Sequence, residues 1–262
     1  MKKQKKYPTS NFFFYICAVL TNQLSTMKSF KTFSIILAVV VACFAAGCGS
    51  GVFGEKIDEG VITYRLEYPK DNKKSPLIDL LPEQMTISFK DDKSSMLIKG
   101  YAGCFSMQCV SDYKNKKNTT LLSIGLWEKY MLETQLGDTP FETSSMSDLE
   151  VKVTTDTMSV CGYKCTKAIG HSDNCERDFT FWFTKEIDNK SANMISPAQN
   201  IKGVLMQFDI EMMGVYMKAK AIEVCRQEVP DDAFEIPSGY DKVTRSELED
   251  VIRRYSFDST AK

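Results

Sequence analysis

Nine cysteines and one histidine are the residues with the widest chemical options in this chain of 262 residues. Six of the cysteines lie beyond residue 56: Cys104, Cys109, Cys161, Cys165, Cys175 and Cys225. Thiols in such number can hold zinc, close disulfides or attack carbonyls. The runs CFSMQC and CGYKC lack the two-residue knuckle of structural zinc sites, and His171 alone could complete a ligand set, so no metal is expected. A nucleophilic triad would also have to use His171. That residue lies in IGHSDNC, which reads as a hairpin turn, and no serine stands in a nucleophile-elbow glycine pattern. Acidic residues fall mainly on the polar faces of expected strands or in turns, where solvation explains them, although a carboxylate pair of glycosidase type stays open. GYAGC lacks the lysine and the spacing of a phosphate loop. No cofactor is expected, and a hydrolase ranks third among the functional readings. Disulfides are the expected fate of the six thiols if the chain is exported. Cys161 and Cys165 sit four apart in a strand-like stretch, which separates their Cα atoms by about 13 Å. A bridge needs less than about 7 Å, so each is expected to pair elsewhere unless Gly162 makes a bulge.

Cys48 has a different fate. It lies near the end of KTFSIILAVVVACFAAGCGSG, Lys31 to Gly51, where Lys28 and Lys31 precede an apolar run from Phe33 to Ala46 broken only by Ser34. About fourteen apolar positions fall short of the roughly 20 that span a bilayer, so the run reads as a secretory signal. AAGC resembles a lipobox, with Ala45 where leucine is usual. That resemblance implies diacylation of the Cys48 thiol, cleavage before it and acylation of the new amino terminus. One acyl chain binds a membrane only marginally, whereas two or three hold a soluble domain there. The expected organisation is a signal region over 1–47, a lipidated flexible tether over 48–56 and a single β-rich domain over 57–262. Residues 1–26 have their own basic start and read as a start-site artefact ahead of a signal at 27–47, or as part of an unusually long signal. The expected address is the cell envelope, with the protein lipid-anchored to the outer membrane and facing the periplasm; the absence of Asp after Cys48 agrees with outer-membrane transfer.

Removing residues 1–47 takes away six of the 33 basic residues and no acidic one, leaving 27 basic against 34 acidic and a net charge of about −7. Nucleic acid is thereby disfavoured as a partner, because it calls for a concentrated basic face.

These residues must be positioned by strands. In GVITYRLEYP, Ile62, Tyr64, Leu66 and Tyr68 alternate with Thr63, Arg65 and Glu67. EQMTISFKDD repeats the pattern with Met85, Ile87 and Phe89, and Asp91 and Asp92 supply a turn. Similar runs follow in SSMLIKGYAG, in TTLLSIGLWEKYML broken at Gly125, in LEVKVTTDT, and in DFTFWFTKEI with Phe179, Phe181 and Phe183 on one face. GVLMQFDIEMMGVYMKAKAIEVC reads as two strands around Met213 and Gly214, with Val204, Met206, Phe208, Ile210 and Met212 sharing a face of the first. Short runs spaced at roughly 8 to 12 residues predict an all-β sheet, sandwich or open barrel. Helix is expected only in SPLIDLLPEQ and in TRSELEDVIRRYS, where Thr244 and Glu247 form a capping box ahead of Leu248, Val251, Ile252 and Tyr255. Met85, Met96, Met206, Met212 and Met217 fall on apolar strand faces. Methionine adapts to varied apolar shapes, so these five are candidates to line a site for an apolar ligand, against the plainer reading as core.

VCGYKCTKAIG, then FTFWFTKEI, then IKGVLMQFDIE resemble a family of envelope proteins related to the GLPGLI group. The matching residues are Gly162, Tyr163, Cys165 and Lys167, then Trp182, Thr184, Glu186 and Ile187, then Gly203. Phe183 replaces the usual tyrosine, and NIKGVLM stands in place of the Gly-Leu-Pro-Gly block. The resemblance implies a LolA-like half-barrel: a strongly curved antiparallel sheet with helices plugging its concave side, the shape of lipid-carrying proteins. Its motif residues are structural in this reading, with Gly162 and Gly203 at bends, Tyr163 and Trp182 in packing and Cys165 in a disulfide. The expected function is non-enzymatic: binding of a lipid or another apolar ligand on the concave face, or a structural or interaction module with no small ligand.

Overall fold

A computed structural model describes residues 56–69, 81–100, 105–125, 127–141, 143–212 and 215–255. The chain divides into two units, Met1–Gly51, which lies outside the described residues, and Val52–Lys262. Within the second unit twelve strands form one sheet: β1 (Glu59–Glu67), β2 (Gln84–Lys90), β3 (Lys93–Lys99), β4 (Phe105–Asp112), β5 (Lys117–Ile124), β6 (Glu128–Gln135), β7 (Glu150–Val160), β8 (Tyr163–His171), β9 (Phe179–Thr184), β10 (Val204–Met212), β11 (Val215–Cys225) and β12 (Asp241–Lys242). Helix α1 (Arg245–Tyr255) follows. The order across the sheet is β12-β6-β5-β4-β3-β2-β1-β11-β10-β9-β8-β7. Two meanders, β1 to β6 and β7 to β11, are therefore joined where β1 pairs with β11. Every pairing between these twelve strands is antiparallel except the short parallel contact of β12 with β6, and an isolated parallel bridge joins Ile57 to Ile187. The result is a long, curved, unclosed antiparallel sheet, as the alternating runs predict.

Curvature has local causes. Register shifts occur between Thr63 and Tyr64, between Leu205 and Gln207, and between Val153 and Thr157. An extra residue on one strand bends it and increases its twist. The hairpins are tight: Asp91 is left-handed (φ 51°) between β2 and β3, and Cys161 with Gly162 (φ 51° and 86°) makes the two-residue turn from β7 to β8. Two consecutive positive φ angles define a type I′ turn, whose twist suits the flanking strands.

Directly opposed residues share a face, so the registers fix which side each residue occupies. One rung of the inner face runs Tyr64, Met85, Ile98, Met107, Leu122 and Tyr130. A parallel rung of the same face becomes polar on its way out: Phe89, Ser94, Ser111, Asn118 and Thr134. Those polar positions receive the segment from Asp188 to Gly203, which crosses the inner face between β9 and β10. Ser94 Oγ donates to Ser191 O (3.1 Å), and Asn118 Nδ2 donates to Met194 O (3.3 Å). Asn189 Nδ2 donates to both Asp91 O and Lys93 O, each at 3.0 Å. The cover is a succession of turns rather than the helical plug that the LolA-like resemblance implies. Its sequence, DNKSANMISPAQNIKG, has no helical period, carries Pro197 and is rich in Asn and Ser, whose side chains compete for backbone groups.

Residues 136–149, which link β6 to β7, bury Phe141 and Met146 in the same core. Helix α1 adds Leu248 and Val251 at the β6 side. Its capping box is formed: Thr244 N donates to Glu247 Oε2 (2.7 Å), and Glu247 N donates to Thr244 Oγ1 (3.3 Å). The other expected helix, SPLIDLLPEQ, lies largely outside the described residues. On the outer face, residues 226–240 run from β11 back to β12 and bury Val229 and Phe234 against Val110 and Val61.

Candidate functional site

Between the cover and the inner face lies an apolar cavity of about 50 Å³. The sheet supplies Tyr64, Leu66, Met85, Ile87, Met96 and Ile98 from β1 to β3, and Phe208, Ile210, Met212, Met217 and Ala219 from β10 and β11. The cover supplies Ala192, Asn193, Ile195 and Ser196. Cross-strand pairing sets these positions: Ile87 opposes Met96, Leu66 opposes Ala219 and Ile210 opposes Met217. The lining belongs to the half of the sheet toward the β10–β11 turn, the end opposite the start of β1. A volume of this size is well below the roughly 300–1,000 Å³ of pockets that take drug-sized ligands.

Met85, Met96, Met212 and Met217 of the five singled-out methionines line this cavity. Met206 does not, although it is fully buried. The shift between Leu205 and Gln207 inserts Met206 as the extra residue, so Leu205 rather than Met206 joins Phe208 and Ile210 on the lining. The bulge also frees a carbonyl. Leu205 O accepts the Tyr64 hydroxyl at 2.8 Å, and burial raises that phenol's pKa well above its ordinary value, so Tyr64 serves as a neutral donor. Asn193, the polar residue aimed between cover and sheet, is engaged: its Nδ2 donates to Ile201 O (3.0 Å) and Gly203 O (2.6 Å). Sequence reasoning missed Asn189, Asn193 and Ser191; the signal available was the density of Asn and Ser in one linker.

The cysteines do not form the expected framework among the described residues. No disulfide joins Cys109, Cys161, Cys165 or Cys175 to one another, and Cys104 and Cys48 lie outside the described residues. The reason is placement. Cys109 sits on the inner face of β4 beside Thr120 Oγ1 (3.5 Å), Cys161 in the hairpin turn with its Sγ on Ala221 O (3.2 Å), and Cys175 in the β8–β9 connection with its Sγ on Ser145 O (3.2 Å). Burial pushes the Cys109 and Cys165 thiols up to about 11. Neither is a ready nucleophile.

The motif residues have structural surroundings. Gly162 completes the turn that Tyr163 leaves, Lys167 lies over the Trp182 ring (5.9 Å) with Asp156 nearby (3.8 Å), and Thr184 Oγ1 accepts Glu186 N (3.2 Å). Glu186 Oε2 in turn accepts Lys164 N (3.3 Å). His171 is exposed between Asp178 (2.8 Å) and Asp173 (3.4 Å), and the bond to Asp178 raises its pKa first of all. The neighbouring Ser172 hydroxyl is directed at Asp148 and Ser145 O, away from any nucleophilic role with His171. Among the described residues no group of three or more His, Cys, Asp or Glu side chains could hold a metal.

Sheet, cover and cavity together define a β protein built as an open curved sheet around an apolar face. Solved structures with that likeness include PNGF-II, with a TM-score of 0.50 at 15% identity over 75% of this chain and 33% of PNGF-II. A β-barrel-like protein of the domain of unknown function DUF1849 from Brucella abortus has a TM-score of 0.30 at 7% identity, covering 67% of this chain and 100% of that one. The chain thus spans about a third of the length of PNGF-II, and the likeness concerns the fold. No protein-family model matches the sequence, and no curated protein matches it either.

Proposed function

We propose that this chain is a non-enzymatic, lipid-anchored protein of the cell envelope that holds an apolar ligand, of the acyl-chain class, between its curved sheet and the 188–203 cover. The carrying observation is the apolar cavity with four methionines on its wall. Methionine re-packs around varied shapes at little cost, and the cover is joined to the sheet face by a few side-chain hydrogen bonds rather than by a strand or helix. A cavity of about 50 Å³ means that entry of a chain displaces the cover. The lipobox at Cys48 and the resemblance of the CGYKC and FWFTKEI segments to GLPGLI-related envelope proteins support the address, including the outer membrane. The exposed, doubly acid-paired His171 supports the non-enzymatic reading.

A second reading, an interaction module with a filled core and no small ligand, is favoured by the small cavity itself. One experiment separates them. Full-length chain carrying Cys48→Ala is purified, its co-purified lipids are measured by mass spectrometry, and uptake of a fluorescent fatty acid by the delipidated protein is compared with that of Met96→Trp. Uptake that Met96→Trp reduces at least tenfold is the expected result; absence of both lipid and uptake leaves the interaction module. Radioactive palmitate labelling of cells tests the anchor separately, and equal labelling of wild type and Cys48→Ala ends the lipoprotein reading.

A further inference from the structure

Trp127 is 90% exposed, the most exposed of the large apolar side chains among the described residues. It stands at the tip of the β5–β6 hairpin, where Ile124 opposes Glu128 in the last rung. Exposing an indole to water is unfavourable, and nothing in the fold calls for it: Gly125 already supplies the left-handed turn residue (φ 59°). The surroundings are specific. On the outer face, the rung below the tip runs Lys99, Ser106, Ser123 and Lys129 across four strands. Its two lysines are exposed and roughly 14 Å apart, three strand spacings. Tyr240 lies on this rung, its hydroxyl 3.0 Å from Ser123 Oγ and its ring under the Lys129 ammonium (5.8 Å). The acidic neighbours are Glu128, engaged by the Tyr130 hydroxyl at 2.8 Å, and the exposed Asp241 of β12, which pairs with Tyr130.

An exposed tryptophan with a tyrosine and two lysines behind it fits the bilayer interface, where an indole sits among the headgroups while lysines reach phosphate. We infer that the β5–β6 tip is a membrane-surface contact, in which Trp127 enters the interfacial layer of an anionic phospholipid bilayer and Lys99 and Lys129 meet its phosphates. The tip belongs to the same end of the sheet as the lining of the cavity, so the contact brings that end to the lipid surface. The inference stands whether or not the cavity takes a ligand.

The chain has two tryptophans, which makes the test local. In full-length protein with Cys48→Ala, the variant Trp182→Phe leaves Trp127 as the only indole, and Trp127→Phe leaves Trp182. Each is mixed with vesicles of phosphatidylethanolamine and phosphatidylglycerol (3:1) containing brominated acyl chains. The expected result is a blue shift and severalfold quenching of Trp127, little change at Trp182, and loss of the Trp127 quenching in Lys99→Glu/Lys129→Glu. Vesicle-bound protein whose Trp127 is unquenched overturns the inference, because another segment then supplies the binding. So does a blue shift that depends on protein concentration and arises without vesicles, which would make the tip a contact between copies of the chain. Unchanged quenching in the double lysine variant refutes the phosphate contact.

Discussion

The Tyr64 hydroxyl reaches across the core to the carbonyl oxygen of Leu205, 141 residues away, at 2.8 Å. That carbonyl sits where β10 takes up its extra residue, so the bond joins the first strand of the first meander to the bulge of the second. A buried carbonyl left without its donor costs about 1–3 kcal/mol. Tyr64→Phe keeps the ring, including its edge contact with Phe208 (5.8 Å), and removes only the donor. Urea denaturation of the variant is expected to show a loss in that range, about 1–3 kcal/mol, with an unchanged m-value. A neutral result would mean that the bond adds nothing beyond ring packing.

The two motif glycines have different duties. Gly203 opens β10 at φ 145°, and a Cβ there would lie 2.5 Å from Thr184 O and 2.8 Å from the Phe183 ring. Gly162 is also left-handed (φ 86°), but a Cβ there meets nothing within 4 Å. Gly162→Ala therefore carries backbone strain alone, roughly 1–2 kcal/mol, whereas Gly203→Ala adds a collision with backbone. Gly203→Ala is expected to be the more destabilising in thermal unfolding. The reverse order would show that the β9–β10 approach relaxes more easily than the hairpin turn.

Much of this architecture is legible in alternation. Ile62, Tyr64, Leu66, Met85, Ile87 and Phe89 could be assigned to one face because apolar and polar residues alternate cleanly there, and Thr244 with Glu247 announced the final helix. The slip at Met206 was hidden: Val204, Leu205 and Met206 are three apolar residues in a row, so a one-residue shift leaves no mark on the pattern. The cover was hidden for the opposite reason. Ser191, Asn193 and Ser196 look like a solvated loop, yet they are buried where their segment meets Ser94 and Asn118, whose side chains bond Ser191 O and Met194 O. The even number of cysteines suggests pairing but not partners, because pairing depends on the sheet order that brings strands together, and local sequence does not encode that order. Trp127 was read only as part of a strand run, since exposure of a hairpin tip is a tertiary property.

His171 gives the fold a small pH dependence. Its hydrogen bond to Asp178, followed by its other contacts with Asp178 and Asp173, raises its pKa above the ordinary value. A folded-state pKa above the unfolded one contributes stability that is complete below the unfolded value, about 6.5, and is lost as pH rises through the folded value. The group is exposed, so solvent screens the effect. The difference in melting temperature between wild type and His171→Gln is expected to be largest near pH 6 and to shrink as the pH rises above the raised pKa. A difference that grows with pH would contradict the assigned sign.

Thiol chemistry should follow burial. Cys161 is exposed and held in a left-handed turn position, Cys175 and Cys225 are intermediate, and Cys109 and Cys165 are buried with pKa values pushed up to about 11. Alkylation requires both access and thiolate, so site-by-site labelling of the folded protein, read by peptide mass spectrometry, should modify Cys161 first. Cys109 and Cys165 should react only on the timescale of unfolding. Cys161→Ser should abolish the fast phase, because no other described thiol is exposed. Modification of Cys109 or Cys165 at the rate of Cys161 would mean that the inner face opens readily. Protein purified without reductant carries a sharper test: labelling after denaturation should find Cys109 and Cys165 reduced. A bridge at Cys109 or Cys165 would contradict their burial as single thiols in the core.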